Sequence, residues 1–110
     1  MGVTRTDLFT SKENDMATAA KALAHPARVA ILNYLLKSNV CINGDLVSEF
    51  GLAQPTISQH LRELKDVGLI SGTIEGASIC YCINHKRWQE VQDIFNKMFN
   101  RYPDTGADCC

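Results

Sequence analysis

Gln54-Pro55-Thr56-Ile57-Ser58-Gln59-His60-Leu61-Arg62-Glu63-Leu64-Lys65-Asp66-Val67-Gly68-Leu69-Ile70 is the stretch whose reading decides the fold. Pro55 suits the first turn of a helix, where a missing N–H costs nothing. Gly68 suits the position just past the end, which favours a left-handed residue. Between them Ile57, Leu61 and Leu64 recur at helical spacing and make one narrow apolar stripe. Thr56, Gln59, Arg62 and Glu63 fall on the opposite side. The stretch predicts a helix with one face for a core and a long polar face for an outside partner. Gln54, Thr56, Ser58 and Gln59, near its N-terminus, are short donors and acceptors of the kind that read base edges or grip phosphates in a major groove. Arg62 and Lys65 add cations for phosphates. His60 lies close to the stripe, where it either packs on the helix flank or contacts a phosphate. An ordinary solvated helix has the same pattern, so the neighbouring segments must decide.

Upstream, Leu46, Val47 and Phe50 predict a short helix capped by Asn43 or Asp45 and stopped by Gly51. Leu52-Ala53 leaves room only for a turn before the polar-faced helix. Two helices joined so tightly make a helix-turn-helix. Further back, Thr10 and Glu13 form a capping box for a first helix through Met16, Ala19, Ala20 and Leu23. His25-Pro26 breaks it, because the residue before proline is pushed out of the helical region. Pro26 opens a second helix with Val29, Leu32, Leu35 and Leu36 inside, ending near Ser38-Asn39. Residues 1–9 carry no pattern and read as a loose arm.

Downstream the periodicity changes from helical to alternating. Leu69 to Glu75 reads as a strand, Glu75-Gly76 as a tight turn and Ser78 to Ile83 as the returning strand. Ile79, Tyr81 and Ile83 share the inner face of that strand, and Ser78, Cys80 and Cys82 the outer. A last helix runs from about Lys86 to Tyr102. Its Trp88, Val91, Phe95, Met98 and Tyr102 alternate steps of three and four, the seam of a helix that packs on another helix. So small a core leaves little for this stripe to bury, which points to a partner chain. Residues 103–110 read as a flexible tail. The whole is a single domain over 1–110, mostly α with a small β-hairpin.

With 110 residues, 45% apolar and 21% charged, the chain has the composition of an ordinary globular domain. No apolar run approaches the roughly 20 residues of a membrane span, and no export leader is read, so a cytoplasmic location without membrane contact is expected. The net charge of −1 requires any DNA contact to come from locally placed Lys and Arg. Five cysteines, an odd number, point to metal, metalloid or redox chemistry in a reducing compartment more than to a disulfide framework. No Ser/His/Asp set, paired acid, phosphate-binding glycine loop or CxxC array occurs, so the chain is not read as an enzyme, and no resident cofactor is expected.

The chain resembles the ArsR/SmtB-type winged-helix repressors of bacteria over about residues 14–100. The resemblance rests on the Ala-Leu-Ala-His-Pro-Ala-Arg-Val-Ala-Ile-Leu run (22–32), Cys-Ile-Asn-Gly-Asp-Leu (41–46), Gln-Pro-Thr-Ile-Ser-Gln-His-Leu (54–61), Leu-Lys-Asp-Val-Gly-Leu-Ile (64–70) and the Glu-Gly turn leading to Tyr81. It implies a winged helix-turn-helix of order α-α-α-α-β-β-α. It also implies a homodimer joined through the first and last helices, and operator DNA released on binding a metal or metalloid. Arsenic-responsive members carry Cys-x-Cys-Asp-Leu at the third helix. Here Cys41 matches the first cysteine, Asn43 stands where the second would be, and Gly44 is an extra residue before Asp45-Leu46. Zinc-sensing members use an Asp and two or more His on the last helix, whereas this one has His85, Glu90 and Asp93 without histidine partners.

Soft thiolates suit arsenite, antimonite, cadmium, copper(I) or zinc. The vicinal Cys109 and Cys110, with no packing reason to exist, are the first ligand candidates, followed by Cys41. Cys80 and Cys82 are less favoured, because α-carbons two apart on a strand lie about 6.5 Å from each other. The expectation is a homodimeric repressor released by As(III) or Sb(III). The alternative is a thiol-redox-responsive winged-helix regulator, or a protein-interaction adaptor without metal sensing.

Overall fold

Thr10 opens the first helix as its sequence predicts. In the computed structural model, which describes residues 6–38, 46–73 and 80–103, the Thr10 hydroxyl accepts from the Glu13 N–H at 3.1 Å. The Glu13 carboxylate accepts from the Thr10 N–H at 3.0 Å. Such a cap stabilises a helix by about 1 kcal/mol. The helix it starts is α1 (Ser11–Leu23), followed by α2 (Pro26–Ser38), α3 (Leu46–Phe50) and α4 (Gln54–Asp66). Strands β1 (Ile70–Thr73) and β2 (Cys80–Ile83) then pair antiparallel, and α5 (His85–Phe99) closes the order. This is the winged helix-turn-helix order. The expected caps of α3 at Asn43 or Asp45, the Glu75-Gly76 turn, and Ser78 and Ile79 lie outside the described residues.

The core is built from the inner faces of all these elements. Ala19, Ile31, Leu32, Leu35, Leu46, Ile57, Leu61, Leu64, Leu69, Ile70, Tyr81 and Val91 form one buried cluster. Each large aliphatic side chain buried there stabilises the fold by about 1.5–3 kcal/mol. The stripe expected on the helix-turn-helix, Ile57, Leu61 and Leu64, is fully inside. Gly68, at φ 86°, turns the chain out of α4, and the Leu69 N–H donates back to the Leu64 carbonyl at 3.1 Å. Leu69 therefore belongs to the end of α4, and the strand begins one residue later than expected. Register pairs Ile70 with Ile83 and Gly72 with Tyr81. Gly72, at φ 118°, lies so close to β2 that a Cβ would collide with the Cys80 carbonyl.

Other expectations need correction. On α1 the buried small residues are Ala19 and Ala22, while Ala20 is exposed. On α2 the inner face runs through Ile31, Leu32 and Leu35. Val29 and Leu36, expected inside, are 43% and 46% exposed. This helix is apolar on more than one side, so periodicity alone does not choose the face. Residues expected as a loose arm include a 3-10 turn, Thr6–Leu8, with Leu8 and Phe9 exposed beside it. The last helix starts at His85, because the Asn84 side chain caps it by accepting from the Arg87 N–H at 3.3 Å. It ends at Phe99, so Tyr102 lies beyond it. The chain's own core takes part of the stripe, while Met98 and Tyr102 stay exposed. Val91 is buried, and Trp88 and Phe95 pack against the core of their own chain.

Candidate nucleic-acid interface

The residues expected to meet DNA are all on α4, and burial divides them. Gln54, Thr56, Gln59, Arg62 and Lys65 are exposed, and Ser58 is half-buried. Three of these side chains, Gln54, Gln59 and Arg62, are already linked to neighbours on the helix. The Gln54 amide donates to the Ser58 hydroxyl at 3.1 Å. Gln59 donates from Nε2 to Glu63 at 3.1 Å and accepts at Oε1 from Arg62 at 3.0 Å. This ladder is spaced by three and four residues, the neighbours of a helical surface. Lys65, expected on a phosphate, instead donates from Nζ to the Gly72 carbonyl at 2.7 Å. In the free protein it braces β1 against the end of α4.

His60 does not join that face. It is buried, so its phosphate role is replaced by the packing role. Its Nδ1 accepts from Arg28 Nε at 3.2 Å, and its ring lies 4.4 Å from that of His25. Burial, then the nearby His25 and Arg28, hold its pKa below the ordinary 6.5, with Glu63 opposing them.

Two arginines hold α4 in place, and sequence reasoning singled out neither. Arg28 spans from His60 to the Ala22 carbonyl at the end of α1. Arg87, in the first turn of α5, grips both carboxylate oxygens of Asp15 on α1 and donates to the Val67 carbonyl at the end of α4 at 3.1 Å. Both carried a legible signal. Arg28 shares the stripe of Ile31, Leu32 and Leu35, and a cation on an apolar face needs a partner. Arg87 sits where a helix dipole disfavours a cation.

The ligand candidates are less fully covered. Cys41, Cys109 and Cys110 lie outside the described residues. Cys82 is a free, half-buried thiol with its sulfur 4.0 Å from the Ser71 hydroxyl. Cys80 is disulfide-bonded, so here it is not the free thiol that the ligand expectation assumed. Among the described residues no three His, Cys, Asp or Glu gather into a metal-binding group, and no helix is long and apolar enough to cross a membrane.

Of the expected seam, Met98 and Tyr102 are 44% and 78% exposed, and Phe99 beside them 65%. An apolar groove of about 270 Å³ runs between α5 and the ends of α1 and α4, lined by Leu23, Leu69, Trp88, Val91 and Phe95.

A helix-turn-helix with an exposed polar second helix, followed by a hairpin, defines a winged-helix regulator. The model of the bacterial regulatory protein family arsR matches residues 25–71. The arsenical resistance operon repressor of Staphylococcus xylosus is 33% identical over 97 residues, 86% of this chain and 88% of its own. The HTH-type transcriptional regulator CmtR of Mycobacterium tuberculosis is 38% identical over 72 residues. The match with that regulator spans 66% of this chain but only 60% of CmtR's length. The NMR structure of the cadmium metal-sensor CMTR from the same organism superposes with a TM-score of 0.52 at 30% identity, covering 86% of this chain and 96% of its own. The chain belongs to the ArsR family of bacterial regulatory proteins. The relatives it matches are transcriptional regulators, not enzymes.

Proposed function

We propose that the protein is a homodimeric repressor that binds operator DNA through α4 in the cytoplasm and lets go when thiolates capture As(III) or Sb(III). The observation that carries the DNA reading is the division of α4, with Ile57, Leu61 and Leu64 buried and Gln54, Thr56, Gln59 and Arg62 exposed. The effector reading rests on the cysteines and on relatives named as a cadmium sensor and an arsenical resistance repressor. Cys109 and Cys110 are the proposed principal donors, with Cys41 or one of the strand cysteines, Cys80 or Cys82, as the third. Capture of an ion by residues just past α5 would strain the dimer seam. A coupling of about 1–3 kcal/mol changes operator occupancy 5- to 150-fold.

The test is operator binding titrated with arsenite, antimonite, cadmium and zinc in reducing buffer. The double change Cys109→Ser, Cys110→Ser is expected to keep DNA affinity and abolish release by arsenite. If that variant lets go at the native arsenite concentration, the tail is not the sensor. The Cys80 disulfide also favours a second reading, in which two thiols lose two electrons and two protons to a peroxide-class oxidant and the disulfide weakens DNA binding. Release by peroxide alone, reversed by dithiol, supports that version.

A further inference from the structure

Arg28 occupies an unusual place for a cation. It shares the inner stripe of α2 with Ile31, Leu32 and Leu35, and its head bridges two other helices. One arm donates to the Ala22 carbonyl at 3.3 Å, near the end of α1. Its Nε donates to His60 Nδ1 at 3.2 Å, on the inner side of the helix whose outer face is proposed to meet DNA. Guanidinium has donors and no acceptor, so Nδ1 must be bare and the His60 proton must sit on Nε2.

We propose that Arg28 is a positioning residue for the recognition helix, holding α4 against α1 and α2 through His60 only while His60 Nδ1 is unprotonated, so that acid loosens operator binding. The inference rests on the proposed DNA reading. Protonating Nδ1 replaces an accepted hydrogen bond with two donors facing each other and two like charges in a half-buried site. The charged and titratable groups facing His60 are His25 and Arg28, from the α1–α2 turn and α2, and Glu63 on α4 itself. Two of the three oppose a second positive charge, and burial opposes it further. His25 cannot take over the acceptor role, because its own Nδ1 accepts from the Ala27 N–H at 3.0 Å.

The sign separates this device from ordinary electrostatics. Positive charge gained by exposed side chains in acid strengthens attraction to DNA. A latch through neutral His60 weakens it. The latch is whole at and above the ordinary histidine value of 6.5 and opens as pH falls through the depressed His60 value.

The experiment measures binding of the full chain to a duplex that it has itself enriched from a random pool. Buffers are metal-free, reducing and of constant ionic strength, between about pH 8 and about pH 5.5. The native protein is expected to bind evenly at and above the ordinary histidine value of 6.5 and to lose up to about tenfold per pH unit only once pH falls through the depressed His60 value. His60→Gln, whose amide oxygen accepts without titrating, should remove the acid loss. Arg28→Gln should bind more weakly at neutral pH with no acid step, and Arg28→Lys, with one compact donor group, should fall between. An acid loss of native size in His60→Gln, or native affinity in Arg28→Gln, overturns the proposal. Should either variant lose its helical circular dichroism, ring ¹⁵N spectra of the native protein decide. His60 bare at Nδ1 and titrating where the latch predicts supports the proposal, and a proton on Nδ1 at neutral pH overturns it. A native protein that enriches no duplex removes the DNA reading, and the same spectra still decide whether the latch exists.

Discussion

Gln59 is held from both sides before any DNA arrives, donating to Glu63 and accepting from Arg62. Its amide is therefore oriented, but to read a base it must exchange both bonds. This makes Gln59→Ala the sharpest test of base reading. It should cost about 1–3 kcal/mol on a specific duplex and relax one base position. Competition against duplexes altered one base pair at a time checks this, and equal loss on specific and random DNA would sink the role. The exposure of Gln59 was legible from its place opposite Ile57, Leu61 and Leu64. The fate of His60 was not. It borders the stripe, and its partner Arg28 stands 32 residues away in sequence. Local spacing cannot supply a contact made by the fold. Lys65 teaches the same point, since its acceptor at Gly72 exists only once the hairpin turns back.

Between elements, the decisive contact is the Arg87 clamp. It ties the start of α5 to Asp15 on α1 and to the last turn of α4. Arg87 thus links both outer helices to α4, beside the Arg28 bridge from α1. The hydrogen bond from Arg87, aided by its charge and opposed by burial, holds the Asp15 carboxyl below its ordinary 3.8. A carboxyl so depressed binds protons less readily folded than unfolded. The stability it adds is thus fully present above about pH 3.8 and is lost as pH falls through the depressed value. With its side chain 37% exposed, Asp15 makes a modest contribution. Asp15→Asn should lower the urea midpoint near neutral pH, and its deficit against the native protein should shrink below about pH 3.8. A deficit as large in acid as at neutrality would remove the ion pair as its cause. Elements were legible where their signals are local, as in the Thr10–Glu13 box and the Gly68 exit. The facing of α2 was not, because Val29 and Leu36 are as apolar as the residues that won the core.

At the scale of the molecule, the corrected stripe on α5 sharpens the dimer prediction. Trp88, Val91 and Phe95 serve their own chain's core, so truncating them tests folding and association together. Phe99 does neither job within one chain. It is 65% exposed and stacks only loosely on Phe95, with ring centroids 6.1 Å apart. Met98 and Tyr102, close to Phe99 in sequence, are also exposed large apolar groups, and contiguous apolar surface on one molecule marks an interaction site. A second copy related by a two-fold axis would cover it and set two recognition helices about 34 Å apart, one per major groove. Phe99→Ser should then leave the helical signal and single-chain stability near native values while weakening association, because within the chain it removes only a loose stack on Phe95. Operator affinity should fall with it, since a monomer reaches one half-site. Val91→Ala should behave differently, lowering stability by roughly 0.5–3 kcal/mol. Sedimentation equilibrium at micromolar concentration, run beside urea unfolding of each variant, separates the two effects. A native protein that sediments as a monomer there, or a Phe99→Ser variant that dimerises as tightly as native, places the seam elsewhere.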